Sequence, residues 1–228
     1  MLILADSKIS ATAREKLSVY GEVIDFATNG ITYEAISGHP DIFFCLTPNG
    51  LIVAPNVPAH YLTLLQKNCI EYTPGQLAVG CEYPLTACYN SLVTGKYIIQ
   101  NSTSSDPQIL TMNPEPEIIH TRQGYVRCNL ISLPGDKFIT SDQGIENSLR
   151  KRNLEVLFVD SSSVRLEGFA HGFFGGACGR YADILFVNGS LKYIKEKNQV
   201  EEFAARAGIK IVELSDEQPV DIGTILFL

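Results

Sequence analysis

The chain has no apolar run near the length a membrane-spanning helix requires, so no membrane partner is expected. It has no dense stripe of lysine and arginine, and its formal charge is −7. Both features argue against a nucleic-acid partner, whose binding surfaces are usually basic. The densest cationic cluster, Arg150, Lys151 and Arg152, falls at an expected helix C-terminus, where it complements the helix dipole. Six cysteines are present (Cys45, Cys69, Cys81, Cys88, Cys128, Cys178), and none forms a CxxC pair. That spacing excludes a zinc ribbon or a redox dithiol. There is no Rossmann fingerprint, no phosphate-binding loop and no metal-ligand spacing. No cofactor and no metal are therefore expected. The opening MLILADSKIS lacks the basic segment of a secretory signal, so a cytoplasmic location with reduced thiols is expected. Nothing in the sequence signals an oligomeric state.

What is present is a repeat. Gly50, Gly95, Gly135 and Gly189 each precede a short apolar stretch: LIVAP, KYIIQ, DKFIT and SLKYI. They lie 45, 40 and 54 residues apart, spacings typical of repeated supersecondary units. Four helical stretches end near Gly21, Asn68, Asn153 and Gly208, residue types that accept the left-handed backbone closing a helix. Each junction leads into an apolar strand: EVIDF, CIEY, EVLFV or KIVEL. Helix starts are expected from capping-box spacings at Thr12/Glu15 and Asn198/Glu201, from Pro58, and from Asp142. The segment NSTSSDPQILTMNPEP is expected to be a loop or a single turn. The unit is strand, strand, helix, strand. Its fifth copy is split, with DIGTILFL at one end of the chain and MLILA at the other. The expected architecture is one α/β domain over 1–228, a five-bladed propeller closed by pairing of the terminal strands. Its units span 220–228 plus 1–30, 39–75, 83–122, 124–160 and 176–215.

Two kinds of chemistry stand out. Asp41-Ile42, Asp183-Ile184 and Asp221-Ile222 repeat a dipeptide at three expected opening strands, and Glu82 precedes a fourth. Arg122 or Arg127 holds the corresponding place in the remaining unit. Equivalent positions in a ring converge on its axis, so Asp41, Glu82, Asp183, Asp221 and Arg127 are expected to line one pocket. Clustered carboxylates there would favour a cationic guest. The second kind is a nucleophile with a base. Cys178 follows Gly175 and Gly176, and His39 or His171 could draw off its thiol proton.

At these residues the chain resembles the pentein superfamily, the guanidino-group modifying enzymes. The resemblance covers the whole chain and rests on the five units, the GFFGG pattern and VDIG near the C-terminus. It implies a five-bladed β/α propeller of ββαβ units with a site at its central channel. Its catalytic members pair an HxD segment with a cysteine after a glycine-rich stretch. HPD at His39–Asp41 and GGAC at Gly175–Cys178 are similar to these. In those enzymes the cysteine approaches the last opening strand, where this chain reads QPVDIGT. The resemblance therefore implies first an acidic central pocket for a small cationic, guanidino-like ligand, without turnover. A cysteine-dependent hydrolase or amidinotransferase is the alternative it implies, and a protein-interaction module the second.

Overall fold

A computed structural model describes residues 1–228. The first unit runs from strand β1 (Leu2–Asp6) through helix α1 (Ala11–Ser18) to β2 (Glu22–Phe26). A single turn, α2 (Pro40–Phe43), then leads into β3 (Phe44–Thr47), β4 (Gly50–Val53), α3 (Ala59–Lys67) and β5 (Tyr72–Pro74). The third unit is β6 (Leu92–Val93), β7 (Tyr97–Gln100), α4 (Pro107–Met112) and β8 (Glu117–His120). The fourth opens with another single turn, α5 (Val126–Asn129), before β9 (Leu130–Leu133), β10 (Lys137–Thr140), α6 (Gln143–Arg150) and β11 (Glu155–Phe158). The fifth is β12 (Cys178–Tyr181), β13 (Ile184–Val187), α7 (Lys197–Arg206) and β14 (Lys210–Glu213), and β15 (Leu226–Phe227) follows.

These strands form five three-stranded sheets. In every sheet the middle strand pairs antiparallel with the opening strand and parallel with the closing one. Parallel neighbours need a crossover, and the helix supplies it. The split unit assembles as the sequence suggests: β15 pairs antiparallel with β1, aligning Ile3 with Phe227 and Leu4 with Leu226. Four apolar clusters lie between neighbouring sheets. One joins the first three sheets through Phe26, Phe43, Phe44, Ile52 and Ile98. The others join third to fourth (Ile99, Leu130, Phe138), fourth to fifth (Ile131, Leu185, Val187) and fifth to first (Phe186, Ile225, Phe227). A three-stranded sheet cannot cover its own two faces, and here each borrows cover from its neighbours.

Several local expectations need correction. Gly189 does not precede the middle strand of the fifth unit. ADILFV holds that middle strand, CGRY opens the unit, and LKYI is a turn of tight helix and its exit. The hairpin there turns at Ala182, whose φ is +50°, so the turn signal carries no glycine. Helix α1 is capped by Ser10, whose hydroxyl accepts the Ala13 N–H at 3.2 Å, rather than by Thr12. Asn198 lies inside α7, whose cap, Glu196, makes no side-chain capping bond. Cys69, with φ +54°, takes the left-handed position after α3 that Asn68 was expected to take. Asp142 caps α6 as expected, accepting the Ile145 N–H at 2.8 Å. The serine- and proline-rich segment holds the six-residue helix α4, capped by Asp106 with Pro107 in its first turn.

Candidate functional site

The single turns α2 and α5 set the site. Each ends on an extended residue that starts an opening strand, Phe44 or Leu130. Asp41 and Arg127 therefore stand at matching positions, three residues before their strands. From these turns Asp41, His39 and Cys128 point inward and are buried. Asp6, at the end of β1, and Asp221, ahead of β15, are buried beside them.

The hydrogen bonds are specific. Cys128 Sγ donates to Asp41 Oδ2 at 2.9 Å. Asn90, fully buried, donates through Nδ2 to Cys128 Sγ at 3.2 Å and accepts the Cys128 N–H at 3.1 Å. Asp221 accepts the Phe173 N–H at 2.9 Å and the Gly223 N–H at 3.0 Å. His39 lies between two carboxylates, with Nε2 3.8 Å from Asp6 and Nδ1 3.9 Å from Asp221. Both separations exceed hydrogen-bond reach. Both imidazole nitrogens and Asp41 Oδ1 are buried without a hydrogen-bond partner. Such orphans each cost about 1–3 kcal/mol, and a ligand can relieve that cost.

Glycines make this approach possible. A Cβ on Gly176 would overlap the Asp221 carboxylate, one on Gly223 the His39 side chain, and one on Gly38 the Asp6 carboxylate. The glycines of SGHPD, GGAC and VDIG thus serve close packing of the charged groups.

Burial dominates the electrostatics, because a low-dielectric surrounding disfavours the charged form. It raises Asp6 and Asp41 to about 6 and Asp221 to about 7. It lowers His39 to about 3, helped by Lys8, so the imidazole is neutral at pH 7. Cys128 is pushed well up by burial and then by Asp41 and Asp221, so it rests as a thiol.

Two openings reach this cluster. A cavity of about 100 Å³ is lined by His39, Cys128, Asp221, His171, Tyr33 and Tyr125, among others. A cleft of about 590 Å³ has Asp6 and Asp221 in its wall, with Lys8, Arg165 and Glu217 around them. Leu166 and Phe169, on the segment between β11 and β12, line both.

The expected residues are thus only partly brought together. His39, His171 and Asp221 line the small cavity, and Asp41 lies behind it, bonded to Cys128. Cys178 does not join them: it packs in the apolar cluster between the fourth and fifth sheets, burial raises its thiol, and its sulfur bonds to neither imidazole. The cysteine beside His39 is Cys128. Asp183 is exposed at the β12–β13 hairpin, 3.6 Å from Lys210, because the strands of that unit are displaced by one from the expected assignment. Glu82 is exposed on the loop before β6, and Arg122 is also on the surface. Arg127 is half-buried, and its guanidinium faces away from the His39 cavity into a separate pocket with Asp41. Sequence reasoning missed Asp6, Asn90 and Cys128. The available signal was the match of YVRCNL to HPDIFF across units.

His39, Asp41 and Cys128 each offer a donor atom, and the three lie within 4.8 Å of one another. Nitrogen, oxygen and sulfur at that separation form a set that zinc-like ions accept. Here the Cys128 thiol donates to Asp41 Oδ2, while Oδ1 has no partner.

Comparisons with solved structures agree with the geometry. The chain is similar to the amidinotransferase SxtG of the Microseira wollei saxitoxin pathway, with 11% identity, TM-score 0.53, and coverage of 94% of this chain and 88% of that one. It is similar to the dimethylarginine hydrolase DDAH of Pseudomonas aeruginosa, solved as a variant complexed with citrulline (8% identity, TM-score 0.54, 94% and 91% covered). It is also similar to C. jejuni agmatine deiminase (10% identity, TM-score 0.55, 91% and 74% covered). No curated protein matches the sequence. The fold is therefore the pentein fold of the guanidino-group modifying enzymes. Within it, residues 4–226 match a family of unknown function (DUF6873), and the chain belongs to that family. No helix is long and apolar enough to cross a membrane.

Proposed function

We propose that the protein binds a small cationic ligand carrying a guanidinium or similar group at the Asp41–His39–Asp221 cluster. One observation carries this reading. Three buried carboxylates surround a neutral imidazole, and Asp41 Oδ1 and both ring nitrogens lack partners. A guanidinium is the complement of such a site. It is planar, always charged, and offers five N–H donors to acceptors arranged around it. The neutral His39 can accept, and Asp41 and Asp221 can accept while supplying charge. The 100 Å³ cavity has room for such a head group, since a water molecule takes about 30 Å³. The larger cleft outside offers Arg165, which no carboxylate pairs, to an anionic tail.

The test is a thermal-shift series with cationic and neutral isosteres: arginine, agmatine and methylguanidine against citrulline and urea. Stabilisation by the guanidines and none by the ureido compounds is expected. Equal responses in the two sets, or no response in either, would contradict the reading.

A second reading, turnover through Cys128, is favoured by the place of its sulfur between Asp41 and Asn90. A cation beside the thiol would lower its pKa and could generate the thiolate. Alkylation at pH 7.5 separates the two. For a binding protein, the exposed Cys69 and Cys81 react first and Cys128 stays intact with or without guanidine. Selective labelling of Cys128 when methylguanidine is present would favour turnover.

A further inference from the structure

A third cavity, of about 310 Å³, shares no lining residue with the cleft or the small cavity. Its charge is opposite. Arg127 and Arg180 both line it, and Asp41 is the single acidic residue in its wall. We propose that this cavity binds a small oxyanion, a carboxylate or phosphate group, between the two guanidinium groups.

The arginines are under-used by the protein itself. Arg127 Nη1 donates to the Leu130 carbonyl at 3.3 Å, and Arg180 Nη1 donates to the Ala182 carbonyl at 2.7 Å. Neither forms an ion pair, although Arg14, Arg150, Arg152 and Arg206 all do. Each guanidinium carries five donors in a fixed fork that matches two oxygens of one anion. Two like charges in one pocket repel. Arg180 is held below its usual range by burial and then by Arg127, while Asp41 is the one opposite charge that acts on Arg127. Such an arrangement is unusual in a chain of net charge −7. The rest of the wall fits a small organic body. Ser132 offers a hydroxyl that bonds nothing else, while Phe44, Val93, Ile225 and Phe227 form an apolar side.

The cavity opens separately from the cleft and the small cavity and shares only Asp41 with the cation site, so Arg180 tests it apart from that site. The experiment is calorimetric titration of the full chain at low ionic strength, with inorganic phosphate in one series and propionate in another. Saturable binding of at least one anion is expected, with one site per chain. It should weaken at least tenfold in Arg180→Gln, at an exposed position, and in Arg127→Gln. Preference for phosphate would identify a phosphorylated ligand, and preference for propionate an organic acid. No saturable binding of either anion would overturn the proposal. So would binding that Arg180→Gln leaves unchanged.

Discussion

Asp221 sits in an environment that disfavours its charged form. Its carboxyl is buried, accepts two backbone N–H groups and titrates at about 7, with burial the main cause. A folded-state value above the unfolded one means that the native state binds the extra proton between the two values. Stability from this group is therefore present at low pH and is lost as pH rises through about 7. His39 works oppositely. Its folded value of about 3 means stability lost as pH falls below about 6.5, the unfolded value. Above pH 6.5 only the carboxylates act. We expect stability to fall by about 1 kcal/mol between pH 6.5 and 8 on account of Asp221. Asp221→Asn keeps an acceptor for only one of the Phe173 and Gly223 N–H groups, which bond different oxygens of the carboxylate, and by removing the titrating group it should flatten the slope. Thermal unfolding across pH 6–8.5 checks this, and a slope unchanged in the variant would contradict it. Asp41, His39 and Asp221 were legible in the sequence because each sits just before an opening strand, two of them in a repeated Asp-Ile. Asp6 was not, because it closes a strand and matches no repeat. Cys128 was hidden because its unit carries Arg127 where the repeat carries aspartate.

The short turns α2 and α5 do more for the site than the longer helices. Each holds its charged residue three positions ahead of a strand, so the strand's pairing fixes where the charge stands. Four of the five units announced themselves through hairpin glycines or the split terminal strands. The fifth did not, because Ala182 rather than a glycine takes the positive φ in its hairpin. That one-strand shift is what moved Asp183 from the expected pocket to the surface. Capping shows the same limit. A capping-box spacing at Thr12 looked sufficient, yet Ser10 is the residue with the extended backbone that a cap needs. Ser10→Ala should cost about 1 kcal/mol in denaturant unfolding, whereas Thr12→Ala, at an exposed position within the helix, should leave stability unchanged or slightly higher. An equal loss in both variants would contradict the assignment of the cap.

At the scale of the whole molecule, the site exists only because units distant in sequence meet. Asp6 comes from the first unit, His39 and Asp41 from the second, Asn90 from the third and Cys128 from the fourth, while Asp221 stands ahead of the strand that completes the first sheet. No single unit could hold these groups, and burying three carboxylates around one imidazole is unfavourable without a compensating charge. A basic cavity with Arg127 and Arg180 opens separately and meets the acidic cluster only at Asp41. The repeat pattern made the five-bladed fold readable. The choice of cysteine was not readable, because it depends on which positions of different units converge. The most direct measurement is the affinity for methylguanidine, by calorimetry at pH 8, of the wild-type chain and of Asp41→Asn and Asp221→Asn. Binding by the wild type, weakened at least tenfold in both variants and weakening also as pH falls below about 6, is the expected result. Binding unaffected by either substitution, or its absence in the wild type, would remove the cation site from the molecule.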